Sequence, residues 1–205
     1  PEYEETVLVA LATGVTLAKL RTLAEKFGDN WDLLDRLDAP PPLPLIAVGP
    51  WIDELEATCG LRGECIDADD KMVLRLDECA AYAAKLRAAP DDIERLRLLR
   101  AGPSFRVSRT GRKGNWRCDI DTVRARVIHL DDQREAVLGA VANAAVRRLA
   151  SVIAEFTAAD VAERRAAGEL EFHDLLVLAR ALLRDPEHGV RARARLRARY
   201  RRLLI

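Results

Sequence analysis

Apolar residues recur every three or four positions along most of this chain, which is the pattern of amphipathic helices. Between Asp69-Asp70 and Pro90 one such face runs without interruption for about five turns, and a still longer one extends to about Ala167. The pattern predicts an all-α fold, a multi-helix bundle with one long helix. The faces that carry it include Leu17, Leu20, Leu23, Phe27; Met72, Val73, Leu76, Cys79, Leu86; and Val137, Leu138, Val141, Ala145, Leu149.

Capping residues and helix breakers divide the pattern into separate helices. Ser, Thr, Asp and Asn side chains accept hydrogen bonds from the first turn of a helix, whereas Gly and Pro end helices. The proline-rich stretch at residues 39–44 must be an extended connector. The predicted first-turn caps are Thr16, Asp29 or Asn30, Asp69-Asp70, Asp91-Asp92 and Asp119, and the predicted stops are Gly14, Gly28, Gly60 and Pro90.

Charge is distributed unevenly along a chain whose formal net charge is zero. Residues 1–94 carry 9 Lys+Arg and 20 Asp+Glu, whereas residues 95–205 carry 24 and 13. A basic half of this kind indicates contact with a polyanion. The alternative is that the acidic and basic halves pack on each other or face other parts of a larger protein, and composition leaves both open.

Cysteine spacing, hydropathy and the absence of known motifs argue against metal sites, membrane-spanning segments and catalytic sites in this chain. Cys59, Cys65, Cys79 and Cys118 form no C-x-x-C pair and do not cluster with His129, His173 and His188, so no zinc site is expected. We expect reduced thiols, no membrane-spanning segment, no signal peptide and a cytoplasmic location. No Walker A or Walker B sequence and no catalytic constellation are present, so catalytic, metal and cofactor residues are predicted to be absent from this chain.

The stretch from Ala101 to Arg117 interrupts the helical pattern with three glycines, one proline and no acidic residue. A loop this long inside a compact domain is either functional or disordered. Basic groups attract phosphates, and an aromatic ring can stack on a base. We therefore predict a DNA-contacting loop; the alternative is a solvated loop whose Trp116 plugs the helix bundle. The predicted DNA-binding residues are Arg106, Arg109, Arg112, Lys113, Trp116 and Arg117.

The last quarter of the chain carries the most specific pattern. Gly168 is followed by an apolar helix beginning near Glu171-Phe172, a turn at Asp185-Pro186 and a helix with arginine at every second position. This spacing spreads the arginines around the helix, which favours a solvated helix over one that binds a DNA groove. Leu203-Leu204-Ile205 is typical of a buried strand at its start, so we expect the chain to be part of a larger protein.

Two segments of this quarter resemble the UvrD/Rep family of superfamily 1 DNA helicases, RecB-like and actinobacterial-type members above all. They are Glu171-Phe172-His173-Asp174-Leu175-Leu176 and, one helix later, Arg199-Tyr200-Arg201-Arg202-Leu203-Leu204-Ile205. The family has Asp where this chain has Glu171, and its strand runs into Walker B one residue beyond Ile205. A looser similarity extends to Asp29-Asn30-Trp31-Asp32-Leu33 and to residues 111–123.

The resemblance implies a parent enzyme, an ATP-dependent 3′–5′ DNA helicase acting in DNA repair or recombination with Mg-ATP. Residues 1–167 would be a helical insertion subdomain, and residues 168–205 part of the ATPase motor domain. Phe172, Asp174 and Leu175 would be scaffold residues behind the nucleotide site. The expected partners are DNA and the remaining motor domains. The alternative is a structural or protein-interaction module without DNA affinity of its own.

Overall fold

The computed structural model describes residues 2–44, 48–103 and 105–200, and within these ranges the chain is helical, without a β-strand. The all-α prediction with one long helix is confirmed. The strand predicted at residues 203–205 lies outside the described residues. The helices are α1 (Glu2–Ala12), α2 (Leu17–Asp29), α3 (Gly49–Gly60), α4 (Lys71–Arg87), α5 (Asp92–Arg100), α6 (Ile120–Ala167), α7 (Phe172–Arg184) and α8 (Gly189–Arg199), with 3₁₀ turns at Trp31–Arg36, Leu61–Glu64 and Lys113–Asn115.

The described residues form two compact units. The first unit comprises residues 2–20 and 39–150, and the second comprises residues 21–38 and 151–200. Helix α6 contributes residues to both. The predicted division into an insertion subdomain (1–167) and a motor segment (168–205) concerns the parent enzyme and stays a prediction.

The core of the first unit is built by α3, α4, α5 and the first half of α6. Leu55, Leu76 and Val127 are fully buried, and each contributes about 1.5–3 kcal/mol through the transfer of its side chain out of water. Trp51, Tyr82 and Phe105 meet edge to face with ring centroids 6.2–6.4 Å apart. The indole N–H of Trp51 donates to the carbonyl of Leu130 at 2.9 Å, so this buried polar group is satisfied.

Several local signals act as predicted in the first unit. Gly14 has φ +93°, and the N–H of Val15 donates to Ala10, as in a Schellman C-cap. Thr16 accepts from the N–H of Lys19 at 3.3 Å at the start of α2. Asp91 accepts from the N–H of Glu94 at 2.8 Å at the start of α5. These contacts confirm the boundaries predicted at Gly14, Thr16 and Asp91. The predicted stop at Gly28 is wrong by one residue, because α2 continues to Asp29, and the side chain of Asn30 does not cap the following 3₁₀ turn.

The second unit contains a cluster of polar contacts around Asp32, whose side chain is 7% exposed. Its carboxylate pairs with the guanidinium of Arg180 and lies 3.0 Å from Nε2 of His173. Burial raises the pKa of Asp32, but these two partners outweigh burial and hold that pKa below its usual value. The ring of Trp31 meets the ring of His173 edge to face, and Cζ of Arg165 lies 5.4 Å from the centroid of the Trp31 ring.

Helix α6 contains an 18-residue window that is apolar enough, by length and composition, to cross a membrane. This finding differs from the expectation that the chain has no such segment. A mostly buried core helix of a soluble protein passes the same test, whereas only 28% of this window is buried within the protein. A bent pair formed by α1 and α2 passes only when both helices are counted as one span. The expected cytoplasmic location without membrane contact stays a prediction.

Candidate nucleic-acid interface

The basic loop, defined as residues 101–117, connects α5 to α6 in the first unit. Three of its side chains belong to the core: Phe105 and Val107 are fully buried, and Trp116 is 8% exposed. Because apolar side chains fix it near both ends, the backbone from Phe105 to Arg117 follows a defined path. Sequence reasoning identified the loop and gave burial of Trp116 as the alternative interpretation, but it did not foresee the burial of Phe105 and Val107.

Asp70 anchors the loop from the start of α4. One carboxylate oxygen, Oδ1, accepts from the N–H of Met72 at 2.8 Å and caps the helix. The other, Oδ2, accepts from the N–H of Arg112 at 2.8 Å and from Nδ2 of Asn115 at 3.0 Å. Burial raises the pKa of Asp70, but the hydrogen bonds from Arg112, Met72 and Asn115 outweigh it and hold the pKa below its usual value.

The turn at Gly111 fits closely against Asp70 and α6. Gly111 has φ +83°, and a Cβ there would lie 2.5 Å from Oδ1 of Asp70 and 2.8 Å from Cδ1 of Ile120. On the other side of the turn, Nη2 of Arg124 donates to the carbonyls of Thr110 at 2.8 Å and Gly111 at 3.1 Å. The position therefore requires glycine, both for its backbone conformation and for space.

A short antiparallel bridge ties the end of the loop to residues 64–66. The N–H of Ile66 donates to the carbonyl of Asn115, and the N–H of Arg117 donates to the carbonyl of Glu64, both at 2.8 Å. Cys65 stands opposite Trp116 in this bridge. Together with the Asp70 contacts, the bridge fixes the 3₁₀ turn at Lys113–Asn115 at both ends.

Arg134 is a buried cation beneath the loop that sequence reasoning missed. Its guanidinium lies 4.9 Å from the ring centroid of Phe105 and donates to the carbonyl of Pro103 at 3.2 Å. Nη2 of Arg134 lies 2.6 Å from Oδ1 of Asp131, and this carboxylate balances the charge of the guanidinium. The available signal was its spacing: Arg134 stands four residues after Leu130 and four before Leu138, on the inward face of α6.

The five predicted cations of the loop all have exposed side chains: Arg106, Arg109, Arg112, Lys113 and Arg117. The loop itself has no acidic residue, but folding brings acids beside it. Nζ of Lys113 lies 3.9 Å from both Asp119 and Asp121, so its charge is partly balanced. Asp70 lies beneath the loop and is occupied by the hydrogen bonds described above.

Trp116 does not share this exposure. Its ring is 8% exposed and packs in the same core as Phe105 and Val107. A base cannot stack on a ring whose faces are covered. The structure therefore favours the alternative interpretation, in which Trp116 plugs the helix bundle, and the predicted contact is reduced to the five cations.

The predicted motor-scaffold residues lie in the second unit and differ sharply in exposure. Asp174 is fully buried; its Oδ2 accepts from the N–H of Glu171 at 2.8 Å and lies 3.4 Å from Nη1 of Arg164. Phe172 is 75% exposed and Leu175 is 51% exposed. Asp174 therefore holds the start of α7, as a first-turn acid does, while its apolar neighbours face solvent with Leu176 and Leu182.

Within the described ranges, no group of His, Cys, Asp and Glu side chains is arranged to hold a metal ion. The predictions for ATP and Mg concern the parent enzyme and stay predictions. Comparisons of the chain with protein-family models, with curated proteins and with solved structures give no match. The helicase resemblance therefore rests on the residues quoted for it in the sequence.

Proposed function

We propose that this chain is a helical segment of an ATP-dependent 3′–5′ DNA helicase of the UvrD/Rep type, acting in DNA repair or recombination. Its own part in that activity is to contact DNA through the basic loop, near the junction of single strand and duplex. One observation carries the DNA contact: five cations are exposed on a loop whose backbone is fixed by buried contacts.

A fixed backbone supports phosphate binding because the loop need not be ordered at the moment of binding, and ordering lowers affinity. Arginine and lysine draw phosphates and release counterions, a contribution that does not depend on base sequence. With Trp116 in the core, base stacking has no part in the proposed contact. The loop is thus suited to guide DNA of any sequence.

Hydrolysis of ATP is assigned to the parent enzyme. Phosphoryl transfer in such motors depends on a P-loop lysine and on Walker B carboxylates that hold Mg²⁺, and neither sequence occurs in residues 1–205. We expect no ATPase activity from this chain alone. Phe172, Asp174 and Leu175 are assigned to the scaffold that meets the remaining motor domains.

Fluorescence anisotropy of the chain with labelled single-stranded, duplex and forked DNA at two salt concentrations tests the proposal. We expect salt-sensitive binding that is strongest on forked DNA or duplex ends. Absence of binding to all three DNAs at low salt would assign the chain to scaffold alone.

The second candidate function is a protein-interaction module. It is favoured by the apolar side chains of α7 that face solvent, Phe172, Leu175, Leu176 and Leu182, which are 50–75% exposed. Exposed apolar surface of this kind marks contact sites. Self-association in light scattering that is lost in Phe172→Ser/Leu176→Ser, together with no DNA affinity, would favour this function over the first.

A further inference from the structure

Helix α8, in the second unit, carries several positive charges that no carboxylate within the helix balances. Its sequence, Gly189–Arg199, has five arginines and no acidic residue. Their side chains are exposed, and none forms an ion pair with a carboxylate in the part of the chain that the structure describes. The acids just before the helix, Asp185 and Glu187, lie beside His188 instead.

Several arginines on the other helices are paired with carboxylates one turn away. Arg75 pairs with Glu78 at 2.6 Å, and Arg124 pairs with Asp121 at 2.6 Å. Arg164 pairs with Asp160 at 3.3 Å. Within α8, whose residues are Gly189–Arg199, each arginine has another arginine four positions away, and like charges at that spacing destabilise a helix. Glu187, four residues before Arg191, lies outside the helix and beside His188. An anionic partner removes this repulsion.

The arginines of α8 divide into two rows. Nη1 of Arg193 donates to the carbonyl of Leu183 at the end of α7, so this side of α8 faces its neighbour. Arg191, Arg195 and Arg199 follow one another at four-residue spacing and share a different face. We call these three residues the α8 ridge; their Cα atoms rise about 6 Å from one to the next along the axis.

The alternate spacing of the five arginines argues against insertion of α8 into a DNA groove, but three of them share one face. We propose that this α8 ridge binds the phosphodiester backbone of a nucleic acid, as a contact surface separate in sequence from the basic loop. The choice of nucleic acid as the polyanion rests on the proposed function. A guanidinium suits this partner because it is always charged and donates two parallel hydrogen bonds to phosphate oxygens. Tyr200, 51% exposed beside Arg199, extends the same end of the helix.

The apolar side of α8 argues for nucleic acid over an anionic membrane. Helices that lie on membranes bury a broad face of large apolar residues. Apart from three alanines, the apolar side chains of α8 are Val190 and Leu196. The surface of α8 is mainly charged and has few large apolar side chains. A nucleic acid, which is bound through its phosphates, therefore suits this helix better than a membrane, which also requires apolar side chains.

The test compares Arg191→Gln/Arg195→Gln/Arg199→Gln with the unchanged chain, using fluorescein-labelled single-stranded and duplex DNA over a series of salt concentrations. Loss of three phosphate contacts should weaken binding roughly tenfold or more at low salt and lower the log–log salt slope by about 2–3. The matched control is Arg62→Gln/Arg75→Gln/Arg97→Gln, which removes the same charge from arginines that are paired with acids. A further variant, Arg191→Lys/Arg195→Lys/Arg199→Lys, retains the charge and should retain most of the binding.

Each outcome decides the proposal. A ridge variant that binds like the unchanged chain, while loop variants lose affinity, overturns the α8 contact and leaves the proposed loop contact standing. Equal weakening by the ridge variant and the matched control also overturns it, since net charge alone would then explain the effect. Binding to vesicles of anionic phospholipid that depends on the ridge, without DNA binding, assigns the ridge to a membrane instead. Circular dichroism should show unchanged helix content, because removing like charges relieves repulsion.

Discussion

The buried carboxylate of Asp70 accepts a hydrogen bond from the backbone N–H of Arg112 at 2.8 Å, across 42 positions of sequence. The same side chain caps α4 through Met72. One residue therefore fixes both the start of a core helix and the middle of the basic loop. The backbone that carries Arg112 and Lys113 is held in place by this buried acid.

Asp70→Asn separates these two roles. An amide has one acceptor oxygen, so it can cap α4 but faces the N–H of Arg112 with an NH₂ group. We expect a loss of about 1–3 kcal/mol in the free energy of unfolding because a buried donor is left unsatisfied, together with weaker DNA binding. Asp70→Ala should lose about 1 kcal/mol more, since asparagine is a good N-cap and alanine is not. Urea denaturation checks both; equal stability of Asp70→Asn and the unchanged chain would contradict the anchoring role.

The free energy of unfolding should fall in acid because two carboxyl groups have lowered pKa values in the folded protein. Hydrogen bonds hold the pKa of Asp70 below its usual value, and Arg180 with His173 do the same for Asp32, in each case against burial, which raises the pKa. A lowered pKa in the folded state stabilises the protein above the unfolded pKa, about 3.9, and this contribution is lost as pH falls through the folded pKa. Unfolding free energies measured from pH 6 downward should therefore decline below about pH 4, and less steeply in Asp70→Asn. An unchanged slope in that variant would rule out Asp70 as a source.

Gly111→Ala should destabilise the first unit by at least about 1–2 kcal/mol, the cost of placing a side chain in a left-handed conformation. The short contacts with Asp70 and Ile120 add to this cost. Gly114, in the same loop, has no atom within 4 Å of a built Cβ and no positive φ. Gly114→Ala is therefore the matched control and should be nearly neutral. Thermal melts of both variants check this, and similar melting temperatures would contradict the described turn.

The four cysteine thiols should differ in how fast they react with an alkylating reagent. Burial raises the pKa of Cys59 to about 12 and that of Cys79 to about 11, so neither thiol ionises near neutral pH. Cys65 and Cys118 are partly exposed. Brief alkylation in native buffer followed by mass spectrometry should modify Cys65 and Cys118 first, and Cys59 and Cys79 only after denaturant is added. Rapid labelling of Cys59 would show that α3 and α4 do not pack as described.

Sequence predicted the parts of this fold that local chemistry decides. Gly14, Thr16 and Asp91 act at the helix ends as predicted, and the spacing of apolar residues predicted a long helix that ends near Ala167, as α6 does. The prediction was incomplete where partners are distant in sequence. Asp32 and Arg180 meet across 148 positions, and nothing in a helical period encodes such a pairing.

The basic loop shows the same division between what sequence reveals and what it does not. Its cations were identifiable because a run of basic residues without acids is visible in the sequence. The burial of Trp116 was not, since glycine and arginine around an aromatic residue suit both a stacking ring and an anchored one. The acids at Asp119 and Asp121 approach Lys113 only once α6 is folded beside the loop.

The central claim is that the exposed cations of the basic loop bind DNA phosphates. Its most direct test is the salt dependence of DNA binding by Arg109→Ala/Arg112→Ala/Lys113→Ala, measured by fluorescence anisotropy beside Arg62→Ala/Arg75→Ala/Arg97→Ala as the charge-matched control. We expect the loop variant to bind more weakly, with a log–log salt slope lower by about 2–3, while the control changes little. A loop variant with the affinity and slope of the unchanged chain would contradict this claim.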